Sequence, residues 1–324
     1  MAILVHTTFS DKKSWEKIIR KKFKNEKIIS IKDKNNFKEV EYAIVWNLPN
    51  HILKQLKNLK IIFSMGAGVD HILNLQSYAN TPIVRLKDPA QGERMANYVL
   101  SQILKFQLHL SVYFRGQLKK KWIDEIDSFE PLANHQLTVG ILGTGFLGTY
   151  VANYLKKINY NVIGFKKKKV NKKFDFQIFY KNKIQRFIKL SDIIVSILPS
   201  TNETKYFIDK KFLSMMKKNS LLINVGRGDS INEKDLIKHI KSNKTFFTSL
   251  DVFNKEPLVK SHIFWTHPNV TVTPHIASIT VIDSAIEQMH KRFLEYKKTG
   301  KIINDVNLKI FSSSDILEYA FPKL

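Results

Sequence analysis

Cysteine is absent from this 324-residue chain. That excludes a disulfide framework and any thiolate metal site, and it fits a reducing compartment. Long apolar runs are missing too: a stretch such as IIVSIL, residues 193–198, ends far short of the roughly 20 residues that cross a bilayer. No charged leader with an apolar stretch and cleavage site opens the chain; MAILVHTT reads as a strand, so a cytoplasmic location is expected rather than export. Acidic residues are scarce, with 28 Asp plus Glu against 53 Lys plus Arg and a net charge of +25. Such a field attracts anions, nucleic acid included, but zinc-finger spacing, an aromatic RNA-binding signature and a basic helix with heptads are all lacking. The lysines are spread along the whole chain, so neither nucleic acid nor a membrane is an expected partner. The charge instead suits collection of small anions by a steering field that salt weakens.

What is present is 44% hydrophobic content, enough for substantial cores and two domains. AILVHT, KIISI, YAIVWN and KIIFSM are short Ile- and Val-rich runs separated by Lys-rich amphipathic stretches, which predicts a small α/β lobe. A helical pattern follows over residues 92–117, then a break over 124–136. From Leu137 the runs LTVGILG, YNVIGF, DIIVSILP, SLLINVG, TFFTSLDV and NVTVTP come at βαβ intervals, several of them continuously apolar as strands buried on both faces are. Residues 280–298 again read as helix, and the tail 312–324 carries no motif.

Gly143-Thr-Gly145-Phe146-Leu147-Gly148 follows a strand and opens a helix, the context a dinucleotide-binding fingerprint requires. Gly143 permits the tight turn, Gly145 lets amides approach a pyrophosphate, and Gly148 lets the helix pack close to the strand. A glycine turn with no ligand is the plain alternative; the surrounding strands favour the cofactor. At the end of the next strand, where an NAD-selective protein offers Asp or Glu to the ribose hydroxyls, Lys166 opens a run of four lysines. The missing carboxylate and the cations predict NADPH over NADH, although a charge run is also the ordinary composition of a solvated face.

Arg227 after LLINVGRG, Glu256 after SLDVFNKEP and His275 after NVTVTPH each stand where a predicted parallel strand ends, and such ends crowd around one crevice. Reduction of a 2-keto acid needs a proton for the carbonyl oxygen, which an imidazole can supply near working pH, and a neighbouring carboxylate favours imidazolium and fixes the ring. A guanidinium can hold carboxylate and carbonyl oxygens through parallel hydrogen bonds. Singly, each residue also has a mundane reading as a structural histidine or a surface charge.

NVGRG, LDVFNKEPL and HPNVTVTPHIAS, together with SMGAGVDHI, TVGILGTGFLG and LSDIIVSILPSTNET, resemble the signatures of the D-isomer-specific 2-hydroxyacid dehydrogenases. The resemblance runs from about Val45 to Val306, and WNLPNHILKQLKNLKIIFSMGAGVD with RLKDP is most similar to the glyoxylate/hydroxypyruvate reductase A group. It implies two Rossmann-like or flavodoxin-like parallel-sheet domains, a substrate domain of residues 1–98 and 283–324 with the NAD(P)-binding domain of residues 99–282 inserted. It further implies Arg227 as the substrate-carboxylate ligand, His275 as acid/base and Glu256 as its orienter. Gly145, Phe146 and Leu147 would face the pyrophosphate, Asp251 the nicotinamide amide, and the loop holding Ala67 and Gly68 the substrate carboxylate. Trp46 and Arg85 would line the substrate pocket. The expectation is a cytoplasmic homodimer reducing glyoxylate and hydroxypyruvate with NADPH, NADH being possible, with the helix over 92–117 in the dimer interface and no metal. The rivals are a relative acting on a bulkier 2-keto acid or phosphoglycerate, and a non-catalytic dinucleotide-sensing interaction protein.

Overall fold

The structure is a computed structural model that describes residues 1–124, 132–171, 173–301 and 304–306. The chain divides into two compact units, Met1–Ala90 with Thr280–Leu324, and Gln91–Ile279.

In the first unit, β1 (Ala2–His6), α1 (Lys12–Lys22), β2 (Lys27–Ile29), β3 (Val40–Val45), α2 (Asn50–Leu53), β4 (Ile61–Ser64), α3 (Asp70–Leu73) and β5 (Ile83–Val84) follow in order. The strands form one all-parallel sheet ordered β2-β1-β3-β4-β5, the flavodoxin-like arrangement. Alternate residues serve opposite faces: Leu4, Ala43, Val45 and Ile62 enter one core, while Ile3, Val5, Ile44 and Phe63 enter the other. Apolar cover on both faces is why these strands read as unbroken hydrophobic runs.

The second unit opens with α4 (Pro89–Gln107) and α5 (Leu110–Leu118). It continues through β6 (Thr138–Leu142), α6 (Phe146–Lys157), β7 (Asn161–Lys166), β8 (Gln177–Tyr180), α7 (Ile184–Leu190), β9 (Ile193–Ser196), α8 (Lys210–Met215), β10 (Ser220–Asn224), α9 (Glu233–Ser242), β11 (Phe246–Leu250) and β12 (Val270–Val272). The parallel sheet runs β12-β11-β10-β9-β6-β7-β8. This is the doubly wound dinucleotide-binding order with one strand added, and the order reverses between β6 and β9. The chain then returns to the first unit with α10 (Ile282–Thr299). Ala285, Ile286, Met289 and Phe293 of α10 pack on Trp15, Ile19 and Phe23. Residues 304–306 dock on β5: the Asp305 amide donates to Ile83 O at 3.0 Å, and the Asp305 carboxylate pairs with Lys87 at 2.6 Å.

Three details differ from the sequence reading. The single helix expected over 92–117 is two helices, because His109 adopts a left-handed conformation (φ 50°, ψ 32°) that no α-helix continues through. β5 escaped notice because two residues are too short to show a period, and β8 because Gln-Ile-Phe-Tyr offers no continuous Ile- or Val-rich run. The tail 312–324 lies outside the described residues. No described helix is long and apolar enough to cross a membrane.

Candidate active site

Because all seven strands of the second sheet are parallel, their C-terminal ends share one edge, and the loops leaving that edge carry the charged residues singled out by sequence. Arg227 follows β10, Glu256 lies in the loop after β11, and His275 follows β12. The first two loops are pressed backbone to backbone: a Cβ on Gly228 would lie 1.9 Å from the carbonyl carbon of Phe253. Only glycine next to Arg227 allows that approach.

His275 Nδ1 is 2.9 Å from Glu256 Oε2, and the Phe253 amide donates to Glu256 Oε1 at 3.0 Å. Burial alone would raise the Glu256 carboxyl. Hydrogen bonds from His275 and the Phe253 amide, with the charges of His275 and Arg227, outweigh it and hold the group below the usual carboxylate range. Glu256 is therefore an anion at neutral pH. Its bond to Nδ1 leaves the histidine's Nε2 as the nitrogen turned to other chemistry. Arg227 keeps one guanidinium nitrogen on Gly226 O at 3.0 Å, and its own carbonyl is held by Ser230 Oγ at 2.7 Å and Asn224 Nδ2 at 3.0 Å.

His275 has φ 56°, a strained conformation for a non-glycine residue, so the loop must be held there by its surroundings. Asp251 does the holding. The Asp251 carbonyl accepts the His275 amide at 2.8 Å; Oδ1 accepts the Ile276 amide at 2.8 Å and Thr273 Oγ1 at 2.6 Å; Oδ2 accepts the Ala277 amide at 2.8 Å. Since the Thr273 hydroxyl hydrogen goes to Asp251, the Tyr98 hydroxyl, 2.7 Å from Thr273 Oγ1, is the donor in that pair. Burial pushes the Tyr98 phenol well up, so it stays a donor. Asp251 is 1% exposed, and both of its carboxylate oxygens are taken up by the histidine loop. Sequence reading singled out neither Tyr98 nor Thr273; the one signal for Thr273 was its place two residues before His275.

The glycine turn joins β6 to α6. Gly143 sits at φ 104° with its would-be Cβ 2.8 Å from Ile197 O, so the turn there needs glycine. At Gly148 a Cβ would lie 2.0 Å from Gly143 O. Gly145, the N-cap of α6, faces open space, with nothing within 4 Å of a would-be Cβ, and no side chain caps the helix. The first-turn amides at Phe146, Leu147 and Gly148 thus have no intrahelical acceptor and an open approach, which fits a dinucleotide pyrophosphate. Lys166, the last residue of β7, leans over this turn with Nζ 3.5 Å from Thr144 O. Lys167 is paired with Glu203 at 2.6 Å, so one of the four consecutive cations counted in sequence already has a carboxylate. Among the described residues, no cluster of three or more His, Asp or Glu is placed to hold a metal.

In the first unit, Trp46 ends the run of β3 and lies on the loop after β4: a Cβ on Gly66 would meet Trp46 Cζ3 at 2.6 Å. The amides of Ala67 and Gly68 in that loop have no acceptor among the described residues. Arg85 follows β5, half-buried.

The D-isomer specific 2-hydroxyacid dehydrogenase NAD-binding domain matches residues 100–277. Glyoxylate/hydroxypyruvate reductase A of Photorhabdus laumondii is 31% identical over 318 residues, covering 96% of this chain and 99% of that protein. The chain belongs to the D-isomer specific 2-hydroxyacid dehydrogenase family. As a member it is an NAD(P)-dependent oxidoreductase. An NADPH-dependent glyoxylate/hydroxypyruvate reductase from Sinorhizobium meliloti, solved with NADP and sulfate, superposes with a TM-score of 0.87 at 26% identity, covering 95% of this chain and 99% of that one. A family member from Xanthobacter autotrophicus solved with NADPH and MES gives 0.86 at 27% identity over 94% and 98% of the two chains.

Proposed function

We propose that the protein is an NADPH-preferring reductase of glyoxylate and hydroxypyruvate, producing glycolate and D-glycerate. The observation that carries this reading is the 2.9 Å contact of His275 Nδ1 with an ionised Glu256, on the strand-end edge that also bears the glycine turn. Bound NADPH supplies the hydride. The protein does the rest. Glu256 holds the imidazole's orientation through Nδ1, and His275 Nε2 gives its proton to the keto oxygen. Arg227 binds carboxylate and carbonyl oxygens through its planar fork. In the first unit the amides of Ala67 and Gly68 receive the substrate carboxylate, and Trp46 and Arg85 line its pocket.

Gly143, Gly145, Phe146, Leu147 and Gly148 form the pyrophosphate cradle, Asp251 belongs to the nicotinamide end, and Lys166 favours a 2′-phosphate. The cofactors named for the Sinorhizobium and Xanthobacter structures support NADPH, and the name of the Photorhabdus relative supports the substrates.

The protein is further proposed to be a cytoplasmic homodimer without nucleic-acid or membrane partners. α5 and the residues just beyond it expose Phe114 (60%), Leu118 (70%) and Trp122 (89%), apolar surface that a second copy would cover.

Steady-state rates over a panel of 2-keto acids with NADPH and NADH test the reading. Highest kcat/KM for glyoxylate or hydroxypyruvate with NADPH is expected; preference for a branched or phosphorylated acid, or tight NADPH binding without turnover, overturns it. Sedimentation of the wild type against Trp122→Glu checks the dimer.

A further inference from the structure

We propose that Ser64 and His71 are positioning residues that hold the glycine loop after β4 in its anion-receiving form, an inference that rests on the proposed substrate role of that loop. An anion is attracted to amide N–H groups and repelled by carbonyl oxygens, so a loop of bare backbone captures a carboxylate only if its carbonyls are turned away. Here they are tied inward. Ser64 is fully buried, and its Oγ lies 3.0 Å from both Gly66 O and Gly68 O. Gly66 O also accepts the Leu86 amide at 3.4 Å, and Met65 O accepts Thr280 Oγ1 at 3.2 Å. With those three carbonyls engaged, the amides of Ala67 and Gly68 between and after them are left without an acceptor among the described residues.

His71, on α3, fixes the serine. Its Nδ1 accepts the Asn47 amide at 3.1 Å, so the ring proton sits on Nε2, which donates to Ser64 Oγ at 3.2 Å. The serine hydroxyl has its oxygen occupied by that donor and by the Gly66 amide at 3.4 Å, and its single hydrogen has nowhere to go but the loop carbonyls. The same imidazole packs at a tilt against Trp46, with ring centroids 4.1 Å apart, and the backbone bond it makes holds Asn47 in a left-handed conformation (φ 54°). One neutral histidine thereby sets both the loop and the aromatic residue lying over Gly66.

The test pairs three variants with a split readout. Ser64→Ala removes the donor to both carbonyls; His71→Asn keeps an acceptor for the Asn47 amide and loses the contact with Ser64. KM for glyoxylate and the Kd of oxalate, measured by calorimetry with NADP present, are expected to rise about tenfold in Ser64→Ala, the size of one lost hydrogen bond. The rise is smaller in His71→Asn, and the double variant matches Ser64→Ala because both changes break one linkage. Saturated kcat stays within about twofold and NADPH affinity is unchanged, since the loop orders the substrate before chemistry. Unchanged KM and oxalate affinity in Ser64→Ala, a parallel loss of NADPH binding, or additive effects in the double variant overturn the inference. Oxalate binding by a wild type that reduces no keto acid removes the proposed function and leaves this inference to stand or fall on the oxalate titrations.

Discussion

Two glycines three residues apart in the turn at the head of α6 are expected to fail in opposite ways when given a methyl group. At Gly148 the new carbon would sit 2.0 Å from Gly143 O, a backbone atom that no rotamer change can move. Reaching ordinary contact requires the strand–helix joint to open by more than about 1 Å, and overpacking of that kind costs about 1–3 kcal/mol. For a unit of this size that lowers Tm by roughly 2–12 °C. At Gly145 nothing lies within 4 Å, and the backbone (φ −77°, ψ −156°) suits alanine. Alanine is a poorer N-cap than glycine, but it also restricts the unfolded chain by about 0.4–1 kcal/mol, so the two effects offset each other. Gly145→Ala should therefore melt with the wild type while its methyl occupies the approach to the α6 amides and weakens NADPH at least about tenfold, or ~1.4 kcal/mol. Melting curves without cofactor and NADPH fluorescence titrations separate the two. Wild-type NADPH affinity in Gly145→Ala would mean that the pyrophosphate does not lie on this helix end; an undiminished Tm in Gly148→Ala would refute the packing argument.

Five further outcomes follow from the same geometry. His275→Ala should lose about a hundredfold or more in kcat while NADPH affinity holds, as removal of a general acid does, and a smaller loss would point to another proton source. Glu256→Gln should lower kcat/KM for reduction by about tenfold or more because the imidazole loses the carboxylate that fixes its ring, and wild-type rates would detach Glu256 from that role. The Glu256 carboxyl is held below its ordinary range in the fold, so the stability it contributes is present above that range and lost as pH falls through the lowered value; urea titrations should find the wild-type advantage over Glu256→Gln shrinking in acid. Lys166→Asp should move the NADPH/NADH ratio of kcat/KM toward NADH by about tenfold or more; no change would detach Lys166 from the cofactor. Tyr98→Phe leaves the Thr273 oxygen without its donor and should cost about 1 kcal/mol, with kcat reduced a few-fold and the pH profile unmoved.

Much of the architecture was legible because parallel strands buried on both faces leave continuous apolar runs, and because glycines at fixed offsets mark a turn. The convergence of Arg227 and Glu256 with His275 was legible for a topological reason, as strand ends of one parallel sheet share an edge. The break at His109 was not, since a left-handed residue in an apolar helical pattern leaves the 3.6-residue period almost intact. Nor were Ser64, His71, Tyr98 and Thr273. Each acts through a hydrogen bond to backbone or to another side chain, and such bonds depend on tertiary distances that no spacing encodes. The run of lysines misled in one respect, because Glu203, 36 positions on from Lys167, supplies the carboxylate that pairs with it.

The discontinuity of the first unit has a consequence for biosynthesis. As the ribosome delivers the chain from the N-terminus, the apolar surface formed by Trp15, Ile19 and Phe23 of α1 and its C-cap with Tyr42 of β3 emerges early, yet its cover of Ala285, Ile286, Met289 and Phe293 emerges only after the whole second unit. The intervening residues 91–279 can meanwhile complete a sheet of their own. A nascent or prematurely terminated chain thus carries a finished second unit beside a bare apolar surface, the kind of species that holdase chaperones retain and that aggregates when they are scarce.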